Sequence, residues 1–211
     1  MLPGSPPPYN QLVKKRRAQI RRVAQARLPT RFGPFRILGL ERGRNWIVAL
    51  LKGNPTRVAA PLVRIHSQCL TGDVFGSLRC DCRAQLELSL KAIAREGAGA
   101  ILYEPQEGRG IGLINKLRAY ELQDGGMDTV EANRKLGFPV DRRRYHLAAA
   151  ALRHLKLTRI RLLSNNPAKV AALERAGIRV VARVACEPPA LRGNRAYLRV
   201  KKEKLGHLLR L

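Results

Sequence analysis

Apolar residues change their spacing along this chain, and the changes mark out its elements. Residues 35–40 and 46–52 are short runs rich in branched and aromatic side chains, separated by the polar turn 41–45, and they read as two strands. Residues 62–66 read as a third. Over 84–96 the period lengthens to that of a helix, with Leu86, Leu90 and Ile93 on one face and Gly97 as the stop. Residues 100–103 form an all-apolar strand of the buried kind. It leads into the glycine-rich turn 108–112 and a helix over 113–123, closed by Gly125 and Gly126. An alanine-rich helix is predicted over 145–155, a strand over 159–164, a helix over 169–176 ended by Gly177, and a strand over 179–183. Strands and helices alternate in the second half, which implies parallel pairing there, while the strand-rich first half implies antiparallel pairing. The expected fold is α/β, a single mixed-sheet domain with flanking helices.

Composition adds an arm to this picture. Residues 1–22 are a Pro-rich lead followed by Lys14-Lys15-Arg16-Arg17 and Arg21-Arg22, and they read as a basic N-terminal extension ahead of a folded domain over 23–211. A hydrophobic fraction of 45% is enough for a sizeable core. No apolar run approaches the roughly 18 residues of a membrane span, and the N-terminus has no apolar signal core, so a cytoplasmic protein without membrane contact is expected. Lys and Arg number 41 against 15 Asp and Glu, a formal charge of +26. That excess fits simple solubility, non-specific nucleic-acid contact through the basic arm, or attraction of a polyanionic small substrate. The aromatic content of 5% offers few platforms for stacking bases.

Cysteine usage is more pointed. Four cysteines in 211 residues are too sparse for a disulfide scaffold, and Cys69, Cys80 and Cys82 lie close together while Cys186 is distant. Three thiolate ligands suit a catalytic zinc, whose fourth position holds water. A structural zinc needs a fourth ligand, which His66 would supply, and reduced core cysteines are the third reading. A catalytic zinc acidifies its water, an effect that three thiolates weaken and that Arg64 and Arg79 would partly restore.

Other stretches carry two readings each. The turn Gln106-Glu107-Gly108-Arg109-Gly110-Ile111-Gly112 precedes a helix, where glycines permit close approach of a ligand and free N–H groups attract anions. Glu107 suits the donor edge of guanine, or is a loop carboxylate. Ser164-Asn165-Asn166-Pro167-Ala168-Lys169 either binds phosphate or caps a helix. Asp141-Arg142-Arg143-Arg144 reads as a charged helix start or a catalytic pair, and Tyr120 alone reads as core.

Taken together, these strings resemble the GTP cyclohydrolase II family. They are joined by Arg64-Ile65-His66-Ser67, Cys69-Leu70-Thr71-Gly72-Asp73, Ser77-Leu78-Arg79-Cys80-Asp81-Cys82, Asp128-Thr129-Val130-Glu131-Ala132-Asn133 and the tail Lys204-Leu205-Gly206-His207. The resemblance runs from about residue 23 to 208. It implies hydrolysis of GTP with loss of C8 as formate and release of pyrophosphate, giving a diaminopyrimidine ribosylamino phosphate, the first step of riboflavin biosynthesis. It implies one Zn2+ on Cys69, Cys80 and Cys82, with Mg2+ on the GTP phosphates. It assigns the GTP site to Arg64, Ile65, His66, Ser67, Gln68, Gln85, Glu107, Gly108, Arg109, Thr129, Ser164 and Lys169. Asp141 matches a proton acceptor and Arg143 a nucleophile toward the α-phosphorus, a demanding role for a protonated guanidinium. Tyr120 matches a tyrosine tied to completing the second hydrolysis. A homodimer is also implied. Gln68 departs from the family's usual Glu, and Glu104-Pro105, Val200 and Leu205 depart from its commoner residues. Two other outcomes stay open: a zinc-stabilised nucleic-acid-binding paralogue, and one that stops at the formamidopyrimidine.

Overall fold

A computed structural model of the chain describes residues 19–210. Most of the basic extension expected over 1–22, and with it the nucleic-acid contact expected of that arm, lies outside the described residues. Seven strands form one sheet: β1 (Arg21–Thr30), β2 (Gly33–Arg42), β3 (Asn45–Lys52), β4 (Leu62–Ser67), β5 (Gly99–Glu104), β6 (Arg159–Leu163) and β7 (Arg179–Val184). Their order across the sheet is β1-β2-β3-β5-β4-β6-β7. The first three strands and β5 pair antiparallel, whereas β4 pairs parallel with both β5 and β6, and β6 with β7. The mixed sheet is the architecture that the alternation of strands and helices implies.

Burial follows the pleat. Along β3, Ile47, Ala49 and Leu51 are buried at every second position and meet Leu38 and Leu40 of β2. The central strands are covered on both faces: Ala100 and Leu102 of β5 join the cluster containing Leu147, Leu152 and Leu173, while Ile101 joins Phe35, Leu62, Ile93 and Cys186. The helix α1 (Cys82–Glu96) lies on that second face and is closed by Gly97 in the left-handed region, at φ 73°. The alanine run of α5 (His146–His154) is buried on almost every side, its small side chains letting the helix sit close to the sheet. Helix α6 (Pro167–Arg175) starts on an Asn166 cap with Pro167 in its first turn.

β1 starts at Arg21, two residues ahead of the expected boundary at 23. Its run Arg21-Arg22-Val23-Ala24 shows no apolar alternation because this edge strand is mostly exposed and is held by pairing with β2. Helices α4 (Thr129–Lys135) and α7 (Arg195–Glu203) are not among the expected elements, although Asp128 and Glu131 form a capping box at the start of α4 and α7 gathers its apolar residues on one side. Between β5 and α4 come the single distorted turn α2 (Glu107–Gly110) and helix α3 (Leu113–Asp124). The loops leaving the C-terminal ends of β4, β5 and β6 converge at one edge of the sheet, the usual ligand-binding edge of parallel strands. Among the described residues no helix is long and apolar enough to cross a membrane.

Candidate active site

The chain leaves β4 at Ser67 and enters a wide helical turn over Leu70–Val74 that begins at Cys69. Asp73 organises this turn. Its carboxylate accepts from the Cys69 backbone N–H (3.0 Å), the Tyr103 hydroxyl (3.0 Å) and His66 Nε2 (3.1 Å). Burial lowers the His66 pKa, so the ring is neutral and donates from Nε2, stacked on Tyr103 with centroids 5.6 Å apart. Cys80 and Cys82 arrive from the far side of the loop. The sulfurs of Cys69 and Cys80 are 3.7 Å apart, and all three thiols lie within 4.8 Å of one another.

Gly72 is what lets them meet. A Cβ there would stand 2.8 Å from the Cys80 sulfur and 3.1 Å from that of Cys69, with Cys82 Cβ at 3.2 Å. The donor set fits a tetrahedral, thiolate-binding ion such as zinc. His66, the fourth ligand that a structural site would need, has its Nε2 turned to Asp73. Hydrogen bonds from Cys80 and Cys82, helped by Lys116, hold the Cys69 thiol well down, and the resulting anion pushes Cys80 up to about 11 and Cys82 higher than its ordinary value. With no cation between them the three thiols therefore share their protons instead of ionising together.

Lys116 was not anticipated from the sequence. Its buried Nζ donates to Glu107 Oε1 (2.7 Å), Thr71 Oγ1 (2.9 Å) and the Cys69 sulfur (3.1 Å). It lies one helical turn before Tyr120 on α3, so the helical spacing puts both on one face. Tyr120 OH meets Thr71 Oγ1 at 3.2 Å, and its ring lies under the cations of Arg79 (4.8 Å) and Lys116 (5.6 Å). It therefore belongs to the cleft rather than to the core. Glu107 Oε1 also accepts from the Gly108 N–H (3.2 Å), and Oε2 from the Leu70 N–H (2.7 Å). Its carboxylate thus braces the thiol loop and keeps a lone pair on Oε2 for another donor.

Beside the thiols opens a cleft that is partly open to solvent. Arg64, Arg143 and Lys169 all line it. Lys169 is buried, donates to the Ile65 carbonyl at 2.7 Å, and is held well below the ordinary lysine range by burial and by the charges of Arg64 and Arg143. Such crowded cations call for an anion. Several buried polar atoms of lining residues have no partner within the protein: Arg64 Nε, His66 Nδ1, Ser67 Oγ and Arg109 Nη2. Groups of this kind are normally hydrogen-bonded, so their clustering marks a polar ligand site. Arg109 reaches Thr129 Oγ1 (3.2 Å) from a left-handed backbone at φ 58°, a strained conformation for a non-glycine residue. Asp141 grips Arg143 through Nε (3.0 Å) and Nη2 (2.5 Å), and it raises the guanidinium pKa further. Ser164 accepts from the Asn166 N–H (3.1 Å), and Asn166 caps α6.

Cys69, Cys80, Cys82, Tyr120, Arg143, Arg64, His66, Ser67, Gln68, Gln85, Glu107, Gly108, Arg109, Thr129, Ser164 and Lys169 all line this cleft. Ile65 does not; it packs into the core and offers its carbonyl to Lys169. Asp141 acts through Arg143. The cleft also takes in Tyr197, Lys201 and His207 from the C-terminal segment; His207 belongs to the tail string of the resemblance, and Lys201 was not singled out in the sequence.

A family model described as GTP cyclohydrolase II matches residues 21–185. Two riboflavin biosynthesis proteins RibBA, from Bacillus cereus and Bacillus cytotoxicus, are each 53% identical, over 91% and 87% of this chain. These stretches cover 49% and 47% of the two relatives, so the chain spans about half the length of the curated relatives it matches. A solved two-domain 3,4-dihydroxy-2-butanone 4-phosphate synthase from A. baumannii aligns with 79% of this chain and 40% of its own, at 18% identity and a TM-score of 0.44.

Proposed function

The chain belongs to the GTP cyclohydrolase II family, and from that footing we propose that it hydrolyses GTP in riboflavin biosynthesis, releasing C8 as formate and the outer phosphates as pyrophosphate. The observation that carries this is the adjacency of a three-thiol cluster to a cleft lined by buried cations and unpartnered donors. A base and its phosphates can be held on the same molecule only if both features share one cavity.

Cys69, Cys80 and Cys82 would hold Zn2+, which when bound supplies Lewis acidity and an acidified water beside C8. The remaining work falls to the chain's own groups. Arg64, Lys169 and Arg143 would neutralise the triphosphate, with Ser164 beside them, and Mg2+ bound to the phosphates would supply further positive charge there. Glu107 Oε2 accepts from the donor edge of guanine while Oε1 stays on Lys116. Arg143 binds at the α-phosphorus. To act as a nucleophile it would have to give up a proton, with Asp141 at 2.5 Å the nearest acceptor, and the ion pair between them holds that proton on the guanidinium. Tyr120, hydrogen-bonded to Thr71 beside Cys69, is positioned to serve the second hydrolysis, so the reaction runs past the formylated intermediate. Homodimer assembly, a cytoplasmic location and a basic extension ahead of β1 complete the proposal.

The test is formate and pyrophosphate release from GTP with zinc and magnesium present. Wild type should yield both, and Cys80→Ser neither. No formate from the wild-type chain would overturn the reading.

A further inference from the structure

The family model matches residues 21–185, and the cleft is also lined by residues beyond that stretch. Helix α7 carries a buried lysine, Lys201, whose Nζ donates to both oxygens of Asp81, at 2.9 and 3.2 Å. Asp81 is the residue between two of the three clustered thiols, and it is 3% exposed. Its Oδ2 accepts from Gln85 Nε2 at 2.6 Å, Gln85 Oε1 accepts from Arg64 Nη2 at 2.6 Å, and Arg64 Nη1 donates to the Leu163 carbonyl at 3.1 Å. All four side chains are buried.

A lysine taken out of water is costly unless it is fully paired, and so is an aspartate, so this geometry is held firmly once formed. Asp81 cannot rotate without stranding Lys201, and Gln85 cannot turn without releasing Arg64. The helix that delivers Lys201 is itself fixed at several points. Lys204 pairs with Asp128 and with Glu131 (3.1 Å) at the start of α4, the helix that bears Thr129. Leu198 is buried, and the Leu208 N–H reaches the Asn165 carbonyl at 2.8 Å, beside Ser164. Tyr197 on the same helix receives the cations of Arg109 (5.7 Å) and Lys201 (5.1 Å) on its ring.

We propose that α7 is a working wall of the active site and that Lys201 is a positioning residue. Through Asp81 it sets the loop that presents Cys80 and Cys82, and through Gln85 it sets the direction of Arg64. The inference rests on the proposed zinc and GTP site and adds to it a control point on the C-terminal helix. Lys201 touches neither reacting atom nor ligand in this account; it acts through the residues it holds.

The experiment compares Lys201→Met, Lys201→Arg and Ile47→Ala in the full chain. It reads zinc loss to a chromogenic chelator, GTP affinity by calorimetry, KM against kcat, and the thermal midpoint. Lys201→Met should lose zinc about tenfold faster and bind GTP about tenfold more weakly, the scale expected when a group supporting metal ligands is removed. Lys201→Arg should recover much of both. Ile47→Ala, in the β3 core away from the cleft, should lower the midpoint yet keep zinc loss and GTP affinity within about twofold of wild type. If Lys201→Met fails to fold, the double variant Asp81→Asn with Lys201→Met removes both buried charges and should show the same zinc and GTP defects. Zinc retention and GTP affinity that match wild type, or that fall only as far as in Ile47→Ala, would overturn the proposal. A wild-type chain that takes up no zinc would count against the function reading instead, and GTP affinity across the Lys201 variants would still decide this one.

Discussion

Replacing Gly72 by alanine is the sharpest probe of the thiol cluster. The backbone at Gly72 is not among the positive-φ glycines, so alanine adopts it without strain and the cost is one of contact alone. The added carbon would lie 2.8 Å from the Cys80 sulfur and 3.1 Å from that of Cys69, well inside the ~3.5–4.0 Å of relaxed contacts. Without a metal the loop can relax by letting the sulfurs part. Binding zinc must draw them back to Zn–S distances of about 2.3 Å, so the strain returns on binding. Overpacking of this kind costs about 1–3 kcal/mol. At about 1.4 kcal/mol per tenfold, zinc affinity should fall roughly 5- to 150-fold, with little change in the stability of the metal-free protein. Competition against a chromogenic chelator measures the affinity, and circular dichroism of the metal-free chain measures the stability. A Gly72→Ala protein that holds zinc within about twofold of wild type would refute the argument that this glycine makes room for the metal.

Lys116→Met removes the cation beside Cys69 and strands Glu107, so zinc should be lost about tenfold faster, as judged by the same chelator assay. Tyr120→Phe removes the hydroxyl that meets Thr71; mass spectrometry should then show accumulation of the formylated product while KM for GTP stays near that of wild type. Glu104 is buried and its pKa is pushed up from 4.5 to about 7 by desolvation. The folded protein therefore keeps a proton that the unfolded chain has shed, so this site's contribution is present below pH 4.5 and is lost as pH rises to about 7. The loss amounts to about 3 kcal/mol, and thermal midpoints at pH 5 and pH 7 should differ less in Glu104→Gln than in wild type.

Much of the sheet was legible because its strands alternate or are wholly apolar, as at Ile47, Ala49 and Leu51 or over Gly99–Glu104. β1 was not, because an edge strand of exposed arginines owes its shape to its partner and not to its own pattern. Helix α7 was missed for a related reason. Lys201 reads as a surface charge until Asp81, 120 residues away, is found beside it. The candidate site was readable as separate strings, Cys69-x10-Cys80-x-Cys82 first among them, but their order in space was not. The role of Glu107 changed most: its carboxylate is occupied by Leu70 and Lys116, a bracing function that no local motif records. Asp73 shows the same limit, since one carboxylate joining His66, Tyr103 and the Cys69 backbone is a product of folding alone.

The central claim is that thiol cluster and cation-lined cleft act on one substrate. Mass spectrometry of the products formed from GTP, with zinc and magnesium supplied, tests it most directly. The account predicts formate, pyrophosphate and a deformylated diaminopyrimidine ribosylamino phosphate from the wild-type chain. Intact GTP, or GTP cleaved only at its phosphates with the imidazole ring closed, would contradict it.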